Sequence, residues 1–187
     1  SIQGLKYVAD FITQSEEAEL LGALDGEPWL ADLKRRVQHY GYRYGYKARK
    51  VDPSMHLGPL PAWVRSIAER LGAGGHMPRA PEQLIVNEYQ PGQGISPHVD
   101  CEPCFGPVIC SLSLSSLCAM DLTHVTRSLR VSVMLERRSL VVLSGPARYE
   151  WKHSIPARKS DRIDGRSVLR DRRVSLTFRT VVHSDEG

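Results

Sequence analysis

His98 and Asp100 stand two residues apart in the stretch SPHVDCEPCFG, residues 96–106, and Cys101 and Cys104 follow at once. On an extended chain residues i and i+2 share a face, so an imidazole and a carboxylate converge on one point. That is two thirds of a two-histidine, one-carboxylate facial triad. This donor set leaves positions on a non-heme Fe(II) open for a bidentate co-substrate and O₂. The third donor has to come from another strand, and His153 in RYEWKHSI is the candidate. Alone, His-x-Asp also fits a turn in which Asp100 accepts from a backbone N–H. The Cys-x-x-Cys pair competes for the metal less well. A structural zinc wants four convergent ligands, generally as two paired motifs. Cys110 and Cys118 form no second knuckle, and all four cysteines read more simply as small buried residues near a turn.

Further polar residues keep the same two-residue spacing. Asn87 and Tyr89 precede the His-x-Asp pair, and Arg173, Ser175, Thr177 and Arg179 alternate near the C-terminus. Two arginines on one inward sheet face are stable only where anions or acceptors meet them, and a dicarboxylate co-substrate would supply them. At strand rise the two stand about 20 Å apart, so they cannot grip one end of a small molecule. One is expected to fix the distal carboxylate bidentately, the other to stay near the metal.

Elements must position these groups. Thr13-x-x-Glu16 is a capping box, followed on one helical side by Ala18, Leu20, Leu21 and Leu24 and stopped by Gly26 and Pro28. Residues 61–71 predict a second helix, with Pro61 in its first turn and Gly72 as its cap. Residues 36–46 read as extended chain. From residue 83 the pattern turns to β: QLIVNEY, VICSLSLS, LCAMDL, SLRVSVML, SLVVLSG, RYEWKHSI and RRVSLTFRTVV. In VICSLSLS, Cys110, Leu112 and Leu114 alternate with Ser111, Ser113 and Ser115, the pattern of a strand buried on one side. Short strands at close spacing predict a sandwich, barrel or jelly roll with two helices packed against it.

At 187 residues, 41% hydrophobic and 25% charged, the chain has the balance of one soluble globular domain. No apolar run reaches the roughly 18 residues that span a bilayer, so no membrane partner is expected. The N-terminus lacks the plan of a secretory leader; with Ser1 in place of Met, a leader removed earlier is left open. Four cysteines within eighteen residues could hardly staple a domain, which points to a reducing, cytoplasmic setting. Charge is uneven. Residues 34–50 carry seven Lys/Arg and no acid, and residues 152–173 carry eight against three Asp, within a net charge of +4. Such asymmetry suits a polyanion partner; cations gathered on solvated loops are the plainer alternative.

Taken in order, Asn87-x-Tyr89, His98-x-Asp100, His153 and Arg173-x5-Arg179 resemble the motif set of the AlkB family of Fe(II)- and 2-oxoglutarate-dependent dioxygenases, across residues 35–182. The resemblance implies a mainly β protein: one domain, 1–187, with N-terminal helices and a nucleotide-recognition lid over 1–80 and a double-stranded β-helix (jelly-roll) core over 81–183. It implies His98, Asp100 and His153 as iron ligands. Asn87, Tyr89, Arg173, Ser175 and Arg179 become 2-oxoglutarate contacts, Arg173 and Tyr89 at the distal carboxylate. Ser175 stands where many members have Asn, which keeps a polar contact but loses reach.

The resemblance also gives the tyrosines of QHYGYRYGYKARK a role. Tyr40, Tyr42, Tyr44 and Tyr46, on one face of a ribbon, would stack a base while Arg43, Lys47 and Arg49 meet phosphates; a hairpin packing its own core is nearly as good an account of any one ring. The base must leave its stack, which favours single strands, mismatches and loops. The exposed ring face of His98 is similar to the one against which the family holds the base. Glu102 stands where some members read an exocyclic amine, with a solvated acid as the alternative. Trp151 reads as core rather than pocket wall. The basic loop 156–172, with Arg158 and Lys159, would cradle a phosphate backbone.

The implied activity is oxidative demethylation of N-alkylated bases in DNA or RNA by a monomer using O₂. Two rivals stand beside it. One is hydroxylation of a tRNA wobble nucleoside, because the run VMLERRSLVVLSGPARYEWKHSI is similar to that branch of the family. The other is a protein-directed oxygenase or a non-catalytic nucleic-acid-binding module.

Overall fold

The computed structural model describes residues 1–183. In chain order the first elements are β1 (Leu5–Val8), α1 (Gln14–Asp25), β2 (Arg36–Tyr40), α2 (Ala62–Ala73) and β3 (Gln83–Tyr89). Next come β4 (Ile95–His98), β5 (Phe105–Leu114), β6 (Cys118–His124), β7 (Arg130–Leu135) and β8 (Leu140–Leu143). The last are α3 (Gly145–Tyr149), β9 (Trp151–Ile155), β10 (Ser160–Ile163), β11 (Arg166–Leu169) and β12 (Arg173–Val181).

All pairings in the two main sheets are antiparallel. One sheet has the order β1-β8-β5-β12-β3-β2, the other β4-β9-β6-β7, and β10-β11 is a separate hairpin. From β3 onward the chain crosses repeatedly between the two main sheets, which is the winding of a jelly roll. One core lies between the sheets and includes Phe105, Ile109, Met120, Leu122 and Leu135. A second lies outside the six-stranded sheet, where Leu20 and Leu24 of α1 and Val64, Ile67 and Leu71 of α2 cover its apolar side.

β12 shows how the sequence builds both faces. Val174, Leu176 and Phe178 are each fully buried in the outer core, where each such side chain contributes on the order of 1.5–3 kcal/mol. Arg173, Ser175, Thr177 and Arg179 alternate with them and face the cavity between the sheets. β5 follows the same rule. Cys110, Leu112 and Leu114 join the outer core, but Ser111 lines the cavity and Ser113 is only 1% exposed. The serine face therefore points to an enclosed polar interior and not to solvent, a correction to the one-sided reading.

The capping box at Thr13 and Glu16 forms on both sides. The buried side of α1 is Glu17, Leu20 and Leu24, whereas Ala18 is exposed. Glu17 is buried because Arg137 and the Ser115 N–H bind its carboxylate, at 2.8 and 2.9 Å. Helix α2 is capped by Gly74, not Gly72. Gly72 lies in the last turn so close to the next segment that a Cβ would sit 2.9 Å from the Ala80 nitrogen. The first 80 residues supply strands as well as helices, since β1 and β2 form the two edges of the six-stranded sheet. The segment read as a basic loop contains the β10-β11 hairpin, and the RYEWKHSI stretch begins in α3 before it becomes β9. Trp151 is core, edge-on to His124.

Candidate active site

His98 ends β4 and lies opposite His153 on β9, in a pairing whose register shifts between Ile95 and His98. Such a bulge re-aims a side chain at the sheet edge. The two imidazole centroids are 4.3 Å apart. Nε2 of His98 and Nε2 of His153 lie 3.2 and 3.3 Å from Oδ1 of Asp100. One donor atom from each of the three residues falls within 4.8 Å of the others. Nδ1 of His98 is 2.7 Å from the Ser96 carbonyl. A ring nitrogen that close to a carbonyl oxygen donates, which leaves the Nε2 lone pair for a metal. The donor set and its convergence fit Fe(II) in a facial triad.

Asp100 is held from two directions. Its second oxygen, Oδ2, accepts from Nη1 of Arg179 at 2.9 Å. Arg179 also donates from Nε to Gln83 Oε1 at 2.8 Å and rests 3.7 Å above the Phe105 ring. Burial alone would raise the Asp100 carboxyl, but the Arg179 guanidinium and both imidazoles outweigh it and hold the group well below the usual carboxylate range. Behind it the guanidinium of Arg148, 2% exposed, donates to the backbone carbonyls of Asp100 at 2.7 Å and of Gly106 at 3.2 Å. Cys101 and Cys104 are joined as a disulfide across the same turn, with Cα atoms 5.2 Å apart. The pair is therefore neither a zinc knuckle nor two free thiols. Cys110 and Cys118 are free and buried.

The other end of the cavity is built by register. Arg173 lies opposite Tyr89, and Ser175 opposite both Asn87 and Ser113. Nη2 of Arg173 donates to Ser113 Oγ at 2.8 Å, its guanidinium lies 5.5 Å from the Tyr89 ring, and its buried Nε has no partner. A buried guanidinium nitrogen without an acceptor is costly, and a carboxylate is the group that answers it. Burial pushes the Tyr89 phenol up, which keeps it a neutral donor. The residues present thus fit a dicarboxylate with one end here and the other at the triad. Between the ends lies a cavity of about 400 Å³, floored by Ser111 and Thr177.

Tyr44, Tyr46, Arg35 and Arg49 line the same cavity on its N-terminal side. Tyr44 packs on Phe105 and, edge-on, on Tyr46 at 5.0 Å between centroids. His39 supports them. Its ring meets Tyr46 edge-on, its Nδ1 accepts from the Tyr44 N–H, and burial, followed by Arg43 and Arg179, brings its pKa down to about 4. The four tyrosines do not share a face. β2 ends at Tyr40, and Gly41 turns the chain at φ +77°, where a side chain would collide with the Glu82 carbonyl. Tyr40 packs on Trp63 and Tyr42 on His56, away from the cavity. Glu102 is exposed and outside the cavity, as are Arg158 and Lys159. Sequence reasoning missed Arg35 and Arg148 as parts of the site and had Arg49 only as one phosphate contact among three. It saw Ser111 and Ser113 only as an exposed face.

The model of the 2OG-Fe(II) oxygenase superfamily matches residues 27–179. The chain is 39% identical over 204 residues to the "Alkylated DNA repair protein ALKBH8 homolog" of Arabidopsis thaliana, covering 97% of this chain and 59% of that protein. It is 38% identical over 202 residues to the "tRNA (carboxymethyluridine(34)-5-O)-methyltransferase alkbh8" of Xenopus tropicalis, covering 97% of this chain and 32% of that protein. The chain thus spans less than two thirds of the length of either relative. The solved structure of OsALKBH1 superposes with a TM-score of 0.75 at 15% identity, covering 95% of this chain and 96% of the other, and so shares the fold. The chain belongs to the 2OG-Fe(II) oxygenase superfamily as an AlkB-like dioxygenase that depends on Fe(II) and 2-oxoglutarate.

Proposed function

We propose that this protein oxidises a substituted nucleobase presented by single-stranded or looped nucleic acid, removing an N-alkyl group. The observation that carries the reading is the pairing of the Tyr44–Tyr46 aromatic wall with Arg35 and Arg49 on the cavity that the triad also lines. A base has two flat faces and a phosphate on either side, and this wall offers stacking surface and cations together. When bound, Fe(II) with 2-oxoglutarate supplies the O₂ activation that hydroxylates a carbon of the substrate. His98, Asp100 and His153 would hold the metal from one side. Arg173, Tyr89, Ser175 and Asn87 would take the distal carboxylate. Arg179 would stay at the metal end and orient Asp100. The exposed side of the His98 ring would meet the base opposite Tyr44 or Tyr46, and apolar residues such as Ile85, Ile109 and Met120 would keep the cavity dry. Hydroxylation of an N-methyl carbon gives a hemiaminal, which releases formaldehyde and the restored base.

A second reading rests on a specific finding. The Xenopus relative bears the name of a tRNA carboxymethyluridine-34 methyltransferase, which favours a tRNA anticodon uridine whose side group is hydroxylated and kept. One experiment separates the two: the protein with Fe(II), 2-oxoglutarate and O₂ is incubated with methylated DNA, methylated RNA and bulk tRNA, and nucleosides are analysed by mass spectrometry. Formaldehyde and a restored base support demethylation. A stable hydroxylated nucleoside supports the second reading. If none of these nucleic acids stimulates succinate formation, the nucleobase reading fails, and a protein substrate or a non-catalytic binding role takes its place.

A further inference from the structure

Among the described residues, four guanidiniums line the cavity, those of Arg35, Arg49, Arg173 and Arg179, and Asp100 is the one carboxylate that does. Only Arg179 is paired with it. Among the described residues, Arg35, Arg49 and Arg173 form no salt bridge. The excess is three positive charges. Loading the site does not change that number, because a ferrous ion and a dianionic keto acid cancel. Arg173 has the distal carboxylate as its natural partner, which leaves Arg35 and Arg49 unanswered.

Both are held by neutral acceptors that orient without neutralising. Nε of Arg35 donates to Asn87 Oδ1 at 2.9 Å, and its guanidinium lies 5.9 Å from the Tyr46 ring. Nη2 of Arg49 donates to the carbonyl of Val99 at 2.9 Å, the residue between His98 and Asp100. Each fork keeps free N–H groups. Arg35 is half-buried, so its field is poorly screened; Arg49 is exposed at the mouth.

We propose that Arg35 and Arg49 form a seat for an oxyanion carried by the target nucleotide, distinct from the co-substrate's seat. The proposal rests on the nucleobase reading and adds to it a charge requirement at a stated place. The oxyanion has two sources, a phosphate flanking the base or a carboxylate on the base's own substituent. Either would make charge-assisted, forked hydrogen bonds and set how deep the base sits above the triad.

The test is a binding measurement on the protein loaded with Fe(II) and 2-oxoglutarate under anaerobic conditions. Fluorescein-labelled single-stranded RNA probes are compared in two pairs. One pair carries 5-carboxymethyluridine or its neutral 5-carbamoylmethyl counterpart at the centre. The other carries natural phosphates or neutral methylphosphonates beside the central uridine. The expected result is that in one pair the charged probe binds about tenfold or more tightly than the neutral one, and that pair names the source. Arg35→Gln with Arg49→Gln should bring the ratio to about one, and Arg35→Lys should lower it part of the way. Because the ratio is taken within each protein, partial misfolding lowers both affinities and leaves it unmoved. Ratios near one for both pairs in a wild-type protein that binds the probes would overturn the seat, as would a ratio that survives the double substitution. A wild-type protein that binds none of the probes overturns the nucleobase reading itself.

Discussion

Two stretches of the chain are both strongly basic on paper, and key cations in them are held differently in the fold. Around the β10-β11 hairpin, Arg158, Arg170 and Arg172 are held by carboxylates. Arg158 and Arg170 both meet Asp161, each at 2.9 Å, and Arg172 meets Glu88 and Asp25. Asp161 is 2% exposed and also accepts from the Ala119 N–H, so the cluster fastens the hairpin to β6. On the N-terminal side Arg36 and Lys50 are paired as well, with Glu88 and Asp52. Arg35 and Arg49, by contrast, end on an amide oxygen and a backbone carbonyl. A count of Lys and Arg marks where cations are, while the partners decide which retain an outward field. For Arg158, Arg170 and Arg172 the contrast moves the expected anion contact to Arg35 and Arg49 on the cavity.

The strongest way to break the comparison is to remove the carboxylate of Asp100 from the cavity. Asp100→Ala deletes a metal donor and leaves Arg179, 6% exposed, without its partner. Turnover of 2-oxoglutarate to succinate should fall to background. Stability should drop by about 3–5 kcal/mol, the usual cost of orphaning a buried charge, read by urea unfolding. His98→Ala should silence turnover equally at much lower cost, because His98 is partly exposed and no arginine depends on it. Equal stabilities for the two variants would mean that Arg179 does not rely on Asp100.

Asp161→Asn applies the same logic to the hairpin. Burial raises this carboxyl, but Arg170 and Arg158 outweigh it and hold it below its ordinary value. A carboxylate whose folded pKa lies below its unfolded value, about 3.9, stabilises fully above that value and loses the contribution as pH falls through the folded one. The gap between wild type and Asp161→Asn should therefore be constant from about pH 7 to pH 5 and close below about pH 4. A gap that does not change with pH would show that the cluster is held by shape and not by charge. Arg173→Lys tests the far end of the cavity. A point charge cannot reproduce the fork, so the KM for 2-oxoglutarate should rise about tenfold to a hundredfold with a smaller change in kcat.

What could be read in advance follows from range. The triad pair and the β12 arginines obey a two-residue period that any strand imposes, and the apolar Val174, Leu176 and Phe178 between them fix which face is which. Strand lengths and spacing narrow the fold to a sandwich, barrel or jelly roll, and the motif set's resemblance to the AlkB family chooses the jelly roll. Arg148 gave no such signal, because its acceptors are carbonyls more than forty positions away. Glu17 was hidden likewise, since its burial depends on Arg137 across 120 positions. β1 and β4, four residues each, exist through their partners β8 and β9. The tyrosine ribbon misled because alternation was carried through Gly41, where the strand stops.

The smallest effect expected is also the sharpest test of the contrast. Arg158 is exposed and shares the buried Asp161 carboxylate with Arg170. Arg158→Ala should cost at most about 1 kcal/mol, as exposed ion pairs do. More to the point, it should change the salt dependence of oligonucleotide binding less than Arg49→Ala does, since a cation held on a buried carboxylate is less free to take a phosphate. Arg49→Ala should flatten the slope of log K against log salt by about 0.7 for a single strand, one phosphate contact's share. Binding isotherms over a range of potassium chloride concentrations measure both slopes. If Arg158→Ala flattens the slope and Arg49→Ala does not, the hairpin is the polyanion surface after all, and the pairing with Asp161 opens when nucleic acid arrives.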